Sequence, residues 1–190
     1  MQIKVAGFDP SLTHWGIAEA TLSLDGYLSD PQFTLVEPDK LTNKQVRQNS
    51  SDLHVAEQLA RTVLEVGRRS KVVFVECPVG SQSARAMASY GVCVGILGAL
   101  RAEGVQLIEV TPTEVKKCST GLKNATKEQM INWAIDLYPG SNWPRYTKNG
   151  QTFKKGDIMK TAEHVADAVG AIHAGVHTPT FQNLLRLLQG

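Results

Sequence analysis

The stretch "IKVAGFDPSLTHWGIAEATLSL", residues 3–24, decides the fold. "IKVAGFD" (3–9) reads as a buried strand running into an acid, Asp9. "PSLTH" is a five-residue turn, after which "WGIAEATLSL" (15–24) resumes a strand pattern. That distance predicts an antiparallel hairpin. A third, weaker strand falls within 27–36, and residues 37–50 are polar and irregular. "SDLHVAEQLARTVLEVGRRS" (51–70) then opens on a Ser51 or Asp52 cap. Leu53, Ala56, Leu59, Ala60, Val63, Leu64 and Val66 give it a helical apolar face. "KVVFVE" (71–76) is an apolar strand that also ends in an acid, Glu76. "SARAMASYGVCVGILGALRAEG" (83–104) is a second helix stopped by Gly104, and "VQLIEV" (105–110) a fifth strand. "TPTEVKK" starts a helical turn with Pro112 at an allowed first-turn position. "TKEQMINWAIDLY" (126–138) is a helix capped by Thr126 and closed by Pro139 and Gly140. Residues 140–157 form a long loop, and 178–190 a short terminal helix or tail. A strand meander followed by helix-linked strands predicts an α/β fold: a mixed sheet with helices on its faces.

The 190 residues suffice for one core, read as a single domain over 1–190. No apolar run approaches the roughly 18 residues of a membrane span. The opening segment reaches Asp9 too soon for a signal peptide. Three cysteines, Cys77, Cys93 and Cys118, lack CxxC spacing and fit a reduced, cytoplasmic setting. The net charge of +2 is uninformative, but its distribution is not. Between Thr113 and Lys160, nine bases (Lys116, Lys117, Lys123, Lys127, Arg145, Lys148, Lys154, Lys155, Lys160) face four acids (Glu114, Glu128, Asp136, Asp157). Such an excess either attracts phosphates or is a solvated surface.

"AEHVADAVGAIHAG" (162–175) is a helix of small and apolar residues that nevertheless holds His164 and Asp167, three apart and so on one face. Ala162, Val165, Ala166, Val169 and Ile172 form the opposite stripe. Ala168 and Ala171 flank the polar pair, so the helix reads as buried nearly all round. A buried carboxylate needs a partner. If the fourth strand lies parallel beside the first, Asp9 and Glu76 emerge at one sheet edge, and this helix can pack across it. Three carboxylates and an imidazole gathered there would repel unless a divalent cation joined them. An oxygen-rich set suits Mg²⁺ or Mn²⁺, and the imidazole favours Mn²⁺. Two such ions can activate water and stabilise a leaving oxygen in phosphodiester cleavage.

Four segments, "VAGFDPSLTHWGIA", "VFVECP", "TPTEVKKCSTGLKNATKEQM" and "EHVADAVGAI", together resemble the RuvC-like Holliday-junction resolvases in chain order. The resemblance implies an RNase H-like fold: a five-stranded mixed sheet flanked by helices on both faces. It implies Asp9, Glu76, His164 and Asp167 as ligands of two Mg²⁺ or Mn²⁺ ions, with Lys116 and Lys127 near the scissile phosphate. Lys116, Lys117, Lys123, Lys127 and Arg85 would face DNA. It implies a homodimer that nicks a four-way junction or other branched DNA, with no membrane and no small-molecule substrate, in a bacterial cell and compatible with phage origin. The chain departs from the family in four places. His164 stands where many members carry Asp, and Ser11 replaces a glycine. Val79 stands where an aromatic residue is expected. The loop 140–157 is longer and carries Trp143, Tyr146 and Phe153 among bases, either stacking on unpaired bases or packing on itself. Ala84, Ala88, Gly91, Gly95 and Gly98 form a small-residue stripe that fits a twin helix or the sheet beneath. The competing readings are an RNase H-type ribonuclease acting on RNA–DNA hybrid and a non-catalytic binder of branched DNA. A sugar-kinase-like ATPase would need a second glycine-rich phosphate loop, which the sequence lacks.

Overall fold

The computed structural model describes residues 2–41 and 45–189. Residues 42–44 of the irregular 37–50 stretch, and the final residue of the 178–190 tail, lie outside it. Five strands form one sheet: β1 (Gln2–Asp9), β2 (Trp15–Ser23), β3 (Gln32–Val36), β4 (Val72–Glu76) and β5 (Leu107–Val110), in the order β3-β2-β1-β4-β5. The hairpin forms as expected, with Asp9 opposite Gly16. β3 adds antiparallel to β2. β4 lies parallel to β1 and β5 parallel to β4. This is the mixed α/β sheet the sequence predicts.

Among the described residues six helices complete the fold: α1 (Gln48–Arg69), α2 (Ala84–Ala102), α3 (Pro112–Thr120), α4 (Lys127–Leu137), α5 (Ala162–Gly175) and α6 (Pro179–Gln189). Alternation along the strands divides the core between two sides. Ala6, Phe8, Val73 and Val75 pack with Val55, Leu59, Val63, Cys93, Ile96 and Leu100 of α1 and α2. Ile3, Val5, Val72 and Phe74 face the other way, toward α5 and the helices around it. The same alternation puts Gly7 and Asp9, and likewise Glu76, on the α5 side.

α5 is buried nearly all round, as its composition predicts. It approaches the sheet closely because two strand positions lack side chains. A Cβ on Gly7 would lie 1.9 Å from the Ala168 carbonyl oxygen, and one on Gly16 2.0 Å from that of His164. Helix backbone therefore rests directly on β1 and β2.

Local signals behave mostly as read. Thr111 with Glu114, and Thr126 with Gln129, form capping boxes at α3 and α4. Gly104 takes φ +84° just beyond α2. α1 differs: it begins at Gln48, capped by neither Ser51 nor Asp52. The Asp52 carboxylate instead accepts from Gln48 Nε2 and from both Arg85 terminal nitrogens, at 2.6–2.9 Å. Leu53 is 72% exposed and not part of the apolar face; Val55 takes its place. The small-residue stripe of α2 does not meet the sheet. Cys93, Ile96, Leu97 and Leu100 do, whereas Cβ atoms on Gly91, Gly95 or Gly98 would have no neighbour within 4 Å.

The long loop folds back on itself as an arm. Tyr146 N–H donates to the Asp157 carbonyl, Gly156 N–H to that of Tyr146, and Met159 N–H to that of Pro144, all at 2.8–2.9 Å. Its aromatics are used internally. Tyr146 and Phe153 stack at 3.6 Å between centroids, and Trp143 is buried against Phe33. The self-packed reading is the one the structure adopts.

Candidate active site

Asp9 and Glu76 end adjacent parallel strands. The β1–β4 register runs Val5 with Val72 through Phe8 with Val75, and its continuation sets Glu76 beside Asp9. α5 crosses this edge. His164 lies over Gly16, the partner of Asp9, and its Nδ1 is 2.6 Å from Asp9 Oδ2. The same ring is 3.6 Å through Nε2 from Glu163 Oε1 and stacks on His14, with 5.4 Å between centroids.

Charge explains the chemistry of the cluster. Burial, then the nearby Asp9 and Asp167 carboxylates, pushes Glu76 from 4.5 to about 9, with Lys116 opposing. Burial, Asp9 and Glu163 push Asp167 from 3.8 to about 7, with His164 and Lys116 opposing. Asp167 Oδ1 is buried without a hydrogen-bond partner. For His164, burial disfavours the charged ring. The Asp9 hydrogen bond and the surrounding carboxylates outweigh it, and the net shift is upward. The neighbouring acids thus favour the protonated ring, whose charge would offset part of theirs.

The sign of the Glu76 shift carries a prediction. Its folded value is about 9 against 4.5 unfolded. Between those values the folded chain holds more protons than the unfolded one, so stability falls as pH rises. With a chelator present, Glu76→Gln is expected to be more stable than the unsubstituted chain at pH 8, by on the order of 2 kcal/mol. The difference should vanish near pH 4. Thermal unfolding across that range measures it, and a pH-independent difference would exclude ionisation of the Glu76 carboxyl as its cause.

Asp9, Glu76, His164, Asp167 and Lys116 are therefore all brought into electrostatic contact. Lys127 joins from α4, its ammonium 2.6 Å from Glu163 Oε1. Lys117 and Lys123 are exposed. Arg85 is held in its pair with Asp52. Two neighbours of the cluster escaped the sequence reading. Glu163 looks like an ordinary acid in a helix's first turn, and its contacts with Lys127 and His164 give it a further role. His14 looks like the end of a turn, and nothing local signals that its ring stacks on one 150 residues away. Among the described residues no group of three or more His, Cys, Asp or Glu is arranged to hold a metal ion. No helix there is long and apolar enough to cross a membrane.

No family model and no curated protein matches the chain. Solved structures do. RuvC of Thermus thermophilus, in complex with a Holliday junction substrate, superposes with TM-score 0.61 at 21% identity, over 95% of this chain and 96% of that one. A second structure of Thermus thermophilus RuvC gives 0.59 at 23%, over 98% and 97%. The fold is RuvC-like. The yeast mitochondrial Holliday junction resolvase Ydc2 shares it more distantly, at TM-score 0.54 and 16% identity, over 97% of this chain and 85% of that one. In this RuvC-like fold, the clustered acids stand at the ends of β1 and β4 and on the helix that crosses them.

Proposed function

We propose that the chain is a divalent-metal-dependent endonuclease that cleaves Holliday junctions or other branched DNA by phosphodiester hydrolysis. The observation that carries this reading is the cluster itself: three carboxylates and an imidazole from β1, β4 and α5, with the Asp167 Oδ1 buried and unpartnered. That donor chemistry fits Mg²⁺ or Mn²⁺, although the side chains as they stand are not grouped around a single point. Asp9, Glu76, His164 and Asp167 would hold two ions. Bound there, the ions would lower the pKa of an attacking water and stabilise the leaving oxygen.

The chain's own groups supply the rest. Lys116 lies close enough to Glu76 and Asp167 to favour their charged forms, and its ammonium would stabilise charge growing on the phosphate. Lys127, 80% exposed apart from its Glu163 contact, would meet a neighbouring phosphate. The exposed small-residue stripe of α2, with Met87 and Val94 also exposed, supports a homodimer. Its two-fold axis would match that of a four-way junction.

The test is incubation of four-way junctions, flaps, plain duplexes and RNA–DNA hybrids with Mg²⁺ or Mn²⁺, mapping every nick. Paired nicks in junctions, abolished by chelator, are expected. Cleavage confined to the hybrid would replace this reading with a ribonuclease, and binding without cleavage would make the chain a non-catalytic binder.

A further inference from the structure

A cavity of about 450 Å³ opens between α4 and the base of the arm, within the roughly 300–1,000 Å³ of small-ligand sites. Ile131, Ile158 and Met159 line it with apolar surface, and Lys127 and Lys160 stand beside them. Its inner wall includes Glu163, whose Oε1 is bonded to Lys127 and lies 3.6 Å from His164 Nε2. The cavity therefore abuts the catalytic cluster through one shared residue. The arm above it is cationic. Arg145, Lys148, Lys154, Lys155 and Lys160 are exposed, and none forms an ion pair among the described residues. Asp157, the arm's acid, accepts from the Lys154 backbone N–H.

We propose that this cavity is a subsite for one unpaired nucleotide of the branched DNA, its base on Ile131, Ile158 and Met159 and its phosphate against Lys160 and Lys127. The inference rests on the nuclease reading and extends it to how a strand is chosen. An apolar floor accepts the face of any base, and the phosphate beside it accepts from Lys160, which forms no ion pair among the described residues, and from Lys127, whose exposed ammonium is paired with Glu163. Glu128 at the rim can accept from an exocyclic amine, which would favour some bases over others. A paired, stacked base cannot enter. A base at a branch point is already partly unstacked and leaves the helix most cheaply. The arm's aromatics face one another, so the cavity, and not the Tyr146–Phe153 stack, is the surface open to a base.

Junctions carrying 2-aminopurine at successive positions around the mapped nick test this. Bound to the Asp9→Asn chain, one position is expected to brighten several-fold as its base leaves the stack. Met159→Glu or Lys160→Glu in the same background should return it to the level of free junction. An abasic site at that position should lower kcat/KM about tenfold for the unsubstituted chain and have little effect on Lys160→Glu. The exposed Lys160 keeps the test available if Met159→Glu fails to fold. Brightening at no position, or brightening that survives both substitutions, overturns the subsite while leaving the nuclease intact. Absence of cleavage of the unmodified junction by the unsubstituted chain overturns the nuclease reading and the subsite with it.

Discussion

Asp9→Asn is expected to lower junction cleavage by about 1,000-fold or more while changing junction affinity little. The carboxylate of Asp9 ends β1 in contact with His164 and acts electrostatically on both Glu76 and Asp167. It is the member of the cluster that acts on His164, Glu76 and Asp167 alike. An amide keeps the shape but brings no charge, so the cations that the acids would hold lose their central ligand. Metal ions at such sites supply several kcal/mol of transition-state stabilisation, and each 1.36 kcal/mol is tenfold in rate. Affinity should persist because the basic groups offered to phosphates, Lys116, Lys117, Lys123 and the arm, are untouched, and because one repelling anion is gone. Single-turnover cleavage and anisotropy with labelled junction separate the two effects. Cleavage within tenfold of the unsubstituted chain would remove Asp9 from the catalytic set.

Gly16→Ala should damage both stability and cleavage without changing any charge. A Cβ there would stand 2.0 Å from the His164 carbonyl oxygen and 2.3 Å from its carbonyl carbon. Those are backbone atoms in the middle of the closest helix–sheet contact, so no rotamer change relieves the clash. α5 has to move off the sheet, and overpacking of this kind costs about 3 kcal/mol. In a chain of this size that corresponds to roughly 6–12 °C in Tm. The displacement also separates His164 and Asp167 from Asp9, and a shift of about 1 Å in catalytic groups can cost about 100-fold in rate. Tm and cleavage should therefore fall together. Gly7→Ala, 1.9 Å from the Ala168 carbonyl oxygen, should behave alike. A Gly16→Ala chain with unchanged Tm would refute the close approach.

Much of the fold and the site was legible in the sequence, for reasons specific to each element. The hairpin was readable because two apolar runs flank a short turn. α3 and α4 were readable because Thr111 and Thr126 carry complete capping boxes. Asp9 and Glu76 both end apolar strands, so they could be set side by side on the condition that the fourth strand lies parallel to the first, a pairing the structure contains. The start of α1 was misread because Asp52 has two possible uses. A side chain from α2, distant in sequence, claims it. Distance in sequence also hid Glu163 and His14: each acquires its role from a partner on another element. The arm was recognised as unusual, but its composition could not say whether the aromatics turn outward or toward each other. The cavity at its base has no sequence signature, since its apolar floor is shared between α4 and the arm.

The glycine contacts beneath α5 make the two sides of the sheet unequal. On one side the main chains of helix and strands are registered against each other at Gly7 and Gly16, with almost no freedom to slide. On the other, α1 and α2 are cushioned by Val55, Leu59, Val63, Ile96 and Leu100, aliphatic groups that can be exchanged if volume is kept. Innovation in this chain therefore has a direction. The layer formed by α1 and α2 can be repacked with other aliphatic groups of equal volume, and the reactive edge will keep its alignment.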